Sequence, residues 1–94
     1  MNTWDLPFRI VFKNTQDGRD VLTRLGQLYP PPTSAEVHQA QYGHSWVDVF
    51  FRVEAEEQFV AVTAQNAIHR RLEECLQDAP GLVAIQGYNP RVDS

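Results

Sequence analysis

Ninety-four residues suffice for one domain with a single modest core and are too few for a catalytic domain plus a substrate domain. At 43% hydrophobic and 21% charged residues the chain has ordinary globular composition, which excludes wholesale disorder. The formal net charge of -4 weighs against broad affinity for nucleic acid or anionic membranes, since both rest on positive charge.

Residues 8–13, FRIVFK, alternate Phe8, Ile10 and Phe12 with Arg9, Val11 and Lys13, which predicts a first half-buried strand. Asn14 to Gly18 breaks that pattern. From Asp17 to Tyr29 the residues Val21, Leu22, Leu25, Leu28 and Tyr29 recur at helical spacing, with Asp17 or Asp20 placed to complement the positive helix start. Pro30, Pro31 and Pro32 end this first helix, because proline lacks a donor and restrains its predecessor away from helical geometry. Residues 35–42, AEVHQAQY, form a weaker strand suited to a sheet edge.

Ser45 to Glu54, SWVDVFFRVE, is the strongest strand, and it is apolar on both faces. Val47, Val49, Phe51 and Val53 fall on one side, while Trp46, Asp48, Phe50 and Arg52 fall on the other. A three-residue loop of Gly43, His44 and Ser45 would pair Tyr42 with Trp46, Ala40 with Asp48, His38 with Phe50 and Glu36 with Arg52, and on the other face Val37 with Phe51. This register is favoured over a one-residue shift setting Val47 and Val49 against Ala40 and His38, because it creates an aromatic pair and an ion pair across the strands.

After Glu54 the period changes. Val60, Ala64, Ala67, Ile68, Leu72, Cys75 and Leu76 trace one helical face, predicting a second helix over 56–78; the rival reading makes Gln58 to Thr63 a strand and starts the helix near Gln65. Ala79-Pro80-Gly81 ends it. Leu82 to Tyr88, LVAIQGY, is the last strand. Residues 1–6 and 89–94 are expected to be flexible ends outside a core over about 8–88, the chain as a whole forming one domain.

The order β-α-β-β-α-β, with right-handed crossovers, predicts an α+β fold: a ferredoxin-like two-layer sandwich, its four-stranded antiparallel sheet ordered 4-1-3-2 with both helices on one face. The other face then carries Arg9, Val11, Lys13, His38, Tyr42, Trp46, Phe50 and Arg52 as the candidate interaction surface, with Asp48, Ala84, Gln86 and Tyr88 beside them. Each large aromatic can bury about 150–250 Å², so this cluster reaches the few hundred Å² at which an exposed patch signals contact. The segment MNTWDLP, with Trp4 and Leu6, or the tail NPRVDS could cover it. Homodimerisation through the face or an edge, a protein partner, and a small ligand or single-stranded nucleic acid are the other uses.

Two family resemblances attach to these residues. Gly43-His44-Ser45-Trp46-Val47 is similar to the middle of the third-strand signature of RNA-recognition motifs, and Ile10-Val11-Phe12-Lys13-Asn14 resembles the first-strand signature; the resemblance implies His44 and Trp46 as base-stacking residues. The junction Asn14-Thr15-Gln16-Asp17-Gly18-Arg19-Asp20-Val21-Leu22 resembles small regulatory ACT-like domains, in which a strand leads through Asp and Gly into a helix. That resemblance implies an amino-acid-like effector bound between paired domains near Asn14, Asp17 and Gly18.

Catalytic and metal chemistry find little support. Cys75 is the only cysteine, on the apolar stripe of the second helix, and reads as a buried, inert thiol with no base to activate it. His38, His44 and His69 lack zinc spacing, and His69, beside Arg70 and Arg71, is expected on the solvated helix face. His38 and Asp48 could form a base and its orienter, but no nucleophile accompanies them. The five glycines are isolated, so no phosphate loop is present. No apolar run approaches the ~20 residues that span a bilayer, and MNTWDLPF lacks the basic and apolar regions of a secretory signal, so a cytoplasmic location is expected. The expected function is a non-enzymatic protein-binding or regulatory module without cofactors, self-associating through its aromatic sheet face. One alternative is single-stranded nucleic-acid binding through that face. Another is a small acidic inhibitor from a mobile element, acting through Glu56, Glu57, Glu73, Glu74 and Asp78.

Overall fold

In the computed structural model, which describes residues 2–39 and 43–93, the centre of the fold is an antiparallel pair of eleven-residue strands. These are β1 (Asn2–Phe12) and β3 (Ser45–Ala55), in register from Asn2 opposite Ala55 to Phe12 opposite Ser45. Around them are α1 (Thr15–Leu25), β2 (Ser34–His38), α2 (Gln58–Leu76), β4 (Leu82–Gly87) and β5 (Arg91–Asp93). The result is an α+β fold with an open antiparallel sheet in the order β2-β3-β1-β4 and with β5 also pairing β1. Among the described residues no helix is long and apolar enough to cross a membrane.

The first strand begins six residues earlier than its alternation at 8–13 indicated. Trp4, Leu6, Phe8, Ile10 and Phe12 all point to one side and are buried, so the period of two runs unbroken from Trp4. This corrects two expectations: Asn2–Leu6 is strand rather than a flexible end, and Trp4 and Leu6 lie in the helix-facing core, so this segment is part of the sheet and does not cross over its open face. Trp4 is anchored there by its indole N–H, which donates to the Ala55 carbonyl at 3.0 Å. Pro7 obscured the strand, because a central strand rarely admits a residue without a donor. Its tolerance follows from direction: the Tyr88 N–H donates to the Pro7 carbonyl, so the ladder groups of Pro7 face the β4–β5 edge and the β1–β3 ladder loses nothing. On that edge Pro7 falls between the β4 pairing, which starts at Phe8, and the β5 pairing, which ends at Asp5.

The C-terminal segment is likewise strand rather than tail. Three residues, 88–90, connect Gly87 to Arg91, whereas their partners Phe8 and Asp5 are separated by only two, 6 and 7. One extra residue on the outer path is a bulge, after which β5 resumes along β1.

The β2–β3 register also differs from the expected one. Val37 lies opposite Val47, Glu36 opposite Asp48 and His38 opposite Trp46, and pairing begins at Ser34 opposite Phe50. Neither considered register is formed, the strand ends at His38 rather than residue 42, and the expected pairs of Tyr42 and Ala40 lie outside the described residues. The displacement is four residues, an even number, so every side chain of β2 keeps its expected face. The Glu36–Arg52 ion pair is replaced: Arg52 Nε donates to Asp5 Oδ1 at 3.0 Å.

Both helices cover the Phe8 side of the sheet. Val21 and Leu25 of α1 and Ala61, Leu72 and Leu76 of α2 complete the core with Val47, Val49 and Phe51. The Phe8 ring meets Phe51 edge-on at 5.9 Å and His69 at 5.8 Å. His69 is therefore partly buried against the core, not fully solvated as expected. Helix α1 stops at Leu25, short of Tyr29, with Gly26 as its cap; glycine is a poor helix former, and Pro30 bars Tyr29 from helical geometry. Helix α2 starts at Gln58 after the extended Glu57, whose carbonyl accepts from Val60 and Ala61. Gln58 to Thr63 is helix, which overturns the strand alternative. Ala61 replaces Val60 on the buried stripe, leaving Val60 41% exposed.

Candidate functional site

Antiparallel register lines up the open-face side chains in rows that cross the sheet. His38, Trp46, Val11 and Ala84 form one row, and Glu36, Asp48, Arg9 and Gln86 the next. Ser34, Phe50 and Pro7 follow, and beyond them Arg52, Asp5 and Arg91. Alternation along each strand dictates this arrangement once the register is set.

Asp48 is the hub of the polar part. Its carboxylate accepts from Arg9 Nε at 2.8 Å, Arg9 Nη2 at 3.3 Å and Trp46 Nε1 at 3.3 Å, and lies 3.3 Å from His38 Nε2. Its bond to Arg9 raises the guanidinium pKa above its ordinary value against the opposing effect of desolvation, with smaller Coulombic contributions from Asp48 and Tyr88. The His38 and Trp46 rings stack at 5.4 Å and 15°, and the Arg9 guanidinium carbon sits 4.9 Å from the indole centroid. A second, simpler pair lies two rows away, where Arg52 bonds Asp5 and its guanidinium carbon lies 5.6 Å from the Phe50 ring centroid. Partly exposed ion pairs of this kind each contribute about 0–1 kcal/mol, so their main effect is to order the face and neutralise its centre.

The structure brings together most of the predicted surface but redistributes its roles. Arg9, Val11, His38, Trp46, Phe50 and Arg52 share the open face. Lys13 is exposed beyond the end of β1, its backbone N–H donating to the Gly81 carbonyl, and Tyr42 lies outside the described residues. Trp46 is half-buried, stacked on His38 with Arg9 close to its ring, rather than bare. His44, implied as a stacking residue, is exposed and outside β3. The residues implied by the ACT-like resemblance are used locally: Asp17 Oδ2 accepts from the Asn14 N–H at 3.2 Å, and Gly18 is buried with Phe12 so near that a Cβ would lie 2.8 Å from its Cζ.

An open cleft of about 430 Å³ crosses the face. Phe50, Pro7 and Tyr88 give it an apolar middle, while Glu36 and Asp48 line one part and Arg91 another. Tyr88 is 44% exposed, with its hydroxyl 3.2 Å from Gln86 Oε1. Alternation along residues 82–88 already pointed to Tyr88. Arg91 and Pro7 had no such signal, because the register of β5 and the extension of β1 place them. Asp48 had a signal in its position between Trp46 and Phe50, but its hub role depends on the β2 register.

Away from the sheet face, Arg24 joins the two helices. It bonds Asp20 at 2.8 Å, Asp78 at 2.7 Å and the Cys75 carbonyl at 3.3 Å. Its bond to Asp78 is the largest influence raising the Arg24 pKa and lowering that of Asp78. Cys75 is half-buried rather than buried, and desolvation raises its thiol pKa more than Arg24 lowers it. Glu56, Glu57, Glu73, Glu74 and Asp78 are all exposed. Among the described residues no group of three or more His, Cys, Asp or Glu could hold a metal ion.

The class defined by these features is an α+β domain with one covered and one open face of an antiparallel sheet. In comparisons with known proteins, no family model, no curated protein and no solved structure matches the chain.

Proposed function

We propose that this ferredoxin-like chain is a non-enzymatic interaction module that self-associates through its open sheet face. The observation that carries the reading is the cleft with Phe50, Pro7 and Tyr88 at its middle. Its surroundings are neutralised by Arg9 with Asp48 and Arg52 with Asp5, so burial there does not strand those four charges. Apolar area flanked by paired charges suits a face-to-face protein contact. The long outline of the molecule, 40 by 25 Å, is large enough for the ~800 Å² per partner of a standard interface. Nucleic-acid binding is less well supported, because Arg9 and Arg52 are engaged with carboxylates and the chain carries net charge -4.

Sedimentation velocity over a concentration series, in low and high salt, tests the reading. Wild type should form a dimer that persists at high salt, whereas Phe50→Asp and Tyr88→Asp should be monomers with unchanged circular dichroism. Tyr88→Asp guards against a folding defect in Phe50→Asp, since Tyr88 is the more exposed of the two. A monomeric wild type, a dimer indifferent to Tyr88→Asp, or salt-sensitive binding of a single-stranded oligonucleotide by a monomer would each overturn it.

A further inference from the structure

The two charges at the ends of the cleft are complementary and diagonally placed. Glu36 stands on β2, its side chain 76% exposed and its carboxylate 3.9 Å from His38 Nε2. Arg91 stands on β5, exposed, opposite an Asp5 whose carboxylate is bonded by Arg52. Glu36 shares a row with Asp48 and Arg9, Arg91 shares one with Asp5 and Arg52, and the Phe50–Pro7 row lies between them. The midpoint of the diagonal therefore falls on the aromatic centre of the cleft.

Resting on the self-association proposed above, the geometry points to a twofold dimer in which Glu36 of each copy pairs with Arg91 of the other. A twofold axis lying in the interface over the Phe50–Pro7 row, perpendicular to the diagonal, exchanges the two corners and forms the pair twice. The corners are three strand spacings apart across the sheet, about 14 Å, and four residues apart along it, also about 14 Å. A diagonal near 45° makes the strands of the two copies cross at about 90°, which is the orthogonal class of sheet-on-sheet packing. The aromatic middle supplies buried area, while the two reciprocal ion pairs select this orientation over others that bury the same residues.

Charge reversal with mixing tests the orientation in full-length protein. Glu36→Arg places arginine against arginine at both contacts, and Arg91→Glu places glutamate against glutamate, so each variant alone should dimerise at least about tenfold more weakly than wild type. An equimolar mixture should recover dimer: one chain then presents arginine at both corners and the other glutamate at both, so each contact joins opposite charges. The double variant should likewise dimerise by itself. Both positions are exposed, and matching melting curves will establish that each variant folds. Failure of the mixture and of the double variant to recover, or single variants as tight as wild type, would overturn this orientation while leaving self-association standing. A monomeric wild type would overturn both.

Discussion

Replacing Gly81 by alanine should be among the most damaging single-methyl additions in this fold. Gly81 has φ 76°, a backbone region that costs an L-residue about 1–2 kcal/mol. Its missing side chain also makes room for Asp17: a Cβ would overlap the Asp17 carboxylate, which accepts from the Asn14 N–H at the start of α1. Rotating that carboxylate away removes half of the capping arrangement, worth about 1 kcal/mol. The two effects together predict a loss of about 2–3 kcal/mol, which lowers the melting temperature by roughly 10–20 °C for a domain of this size. Gly43 supplies the control, since it has φ 89° and nothing within 4 Å of an added Cβ. Gly43→Ala should therefore cost only the backbone part, about 1–2 kcal/mol. Urea denaturation of both variants, and of Gly81→Ala in an Asp17→Ala background, separates the contributions. In that background the cost of Gly81→Ala should fall to the backbone part, leaving a coupling of about 1 kcal/mol between positions 17 and 81. Zero coupling, or a Gly81→Ala cost no greater than that of Gly43→Ala, would refute the steric half of the argument.

The helix clamp offers a test by titration. Asp78 is held below the usual carboxylate range chiefly by its bond to Arg24, so nuclear magnetic resonance should find its midpoint rising when Arg24 is replaced by glutamine. Because the folded-state pKa is the lower one, the contribution to stability is present above the unfolded value and is lost as pH falls through the folded value. Cys75, its thiol pushed upward by desolvation, should react with a disulfide reagent at about pH 8 more slowly in folded protein than in urea; equal rates would contradict the burial argument.

The covered layer was legible because burial leaves a periodic trace. Phe8, Ile10 and Phe12, then Val47, Val49 and Phe51, alternate without exception and are all buried. The same rule, extended backwards, would have reached Trp4 and Leu6; Pro7 concealed them because its unpaired edge position follows from where β4 ends and β5 begins. The β5 segment had no periodic trace at all, since Arg91–Asp93 is three residues long and its pairing depends on a one-residue bulge.

The open face was legible in membership but not in partnership, and the distinction has a physical cause. Side-chain parity decides the face, and a slide of four residues leaves parity intact, so hydrophobic pattern cannot distinguish the expected β2 register from the observed one. Partners do change with such a slide. The observed register brings His38 onto Trp46 and close to Asp48, whereas the expected one sets His38 beside Phe50 and Glu36 beside Arg52. With His38 stacked on Trp46 and Arg9 beside its ring, the largest aromatic of the strand is half-buried in the folded monomer. The apolar surface open to contact accordingly shifts two rows along β3 to Phe50, where Pro7 and Tyr88 extend it across the sheet. Replacing Trp46 would thus loosen the polar hub first and any interface second, which is why substitutions at Phe50 and Tyr88 probe the contact more directly.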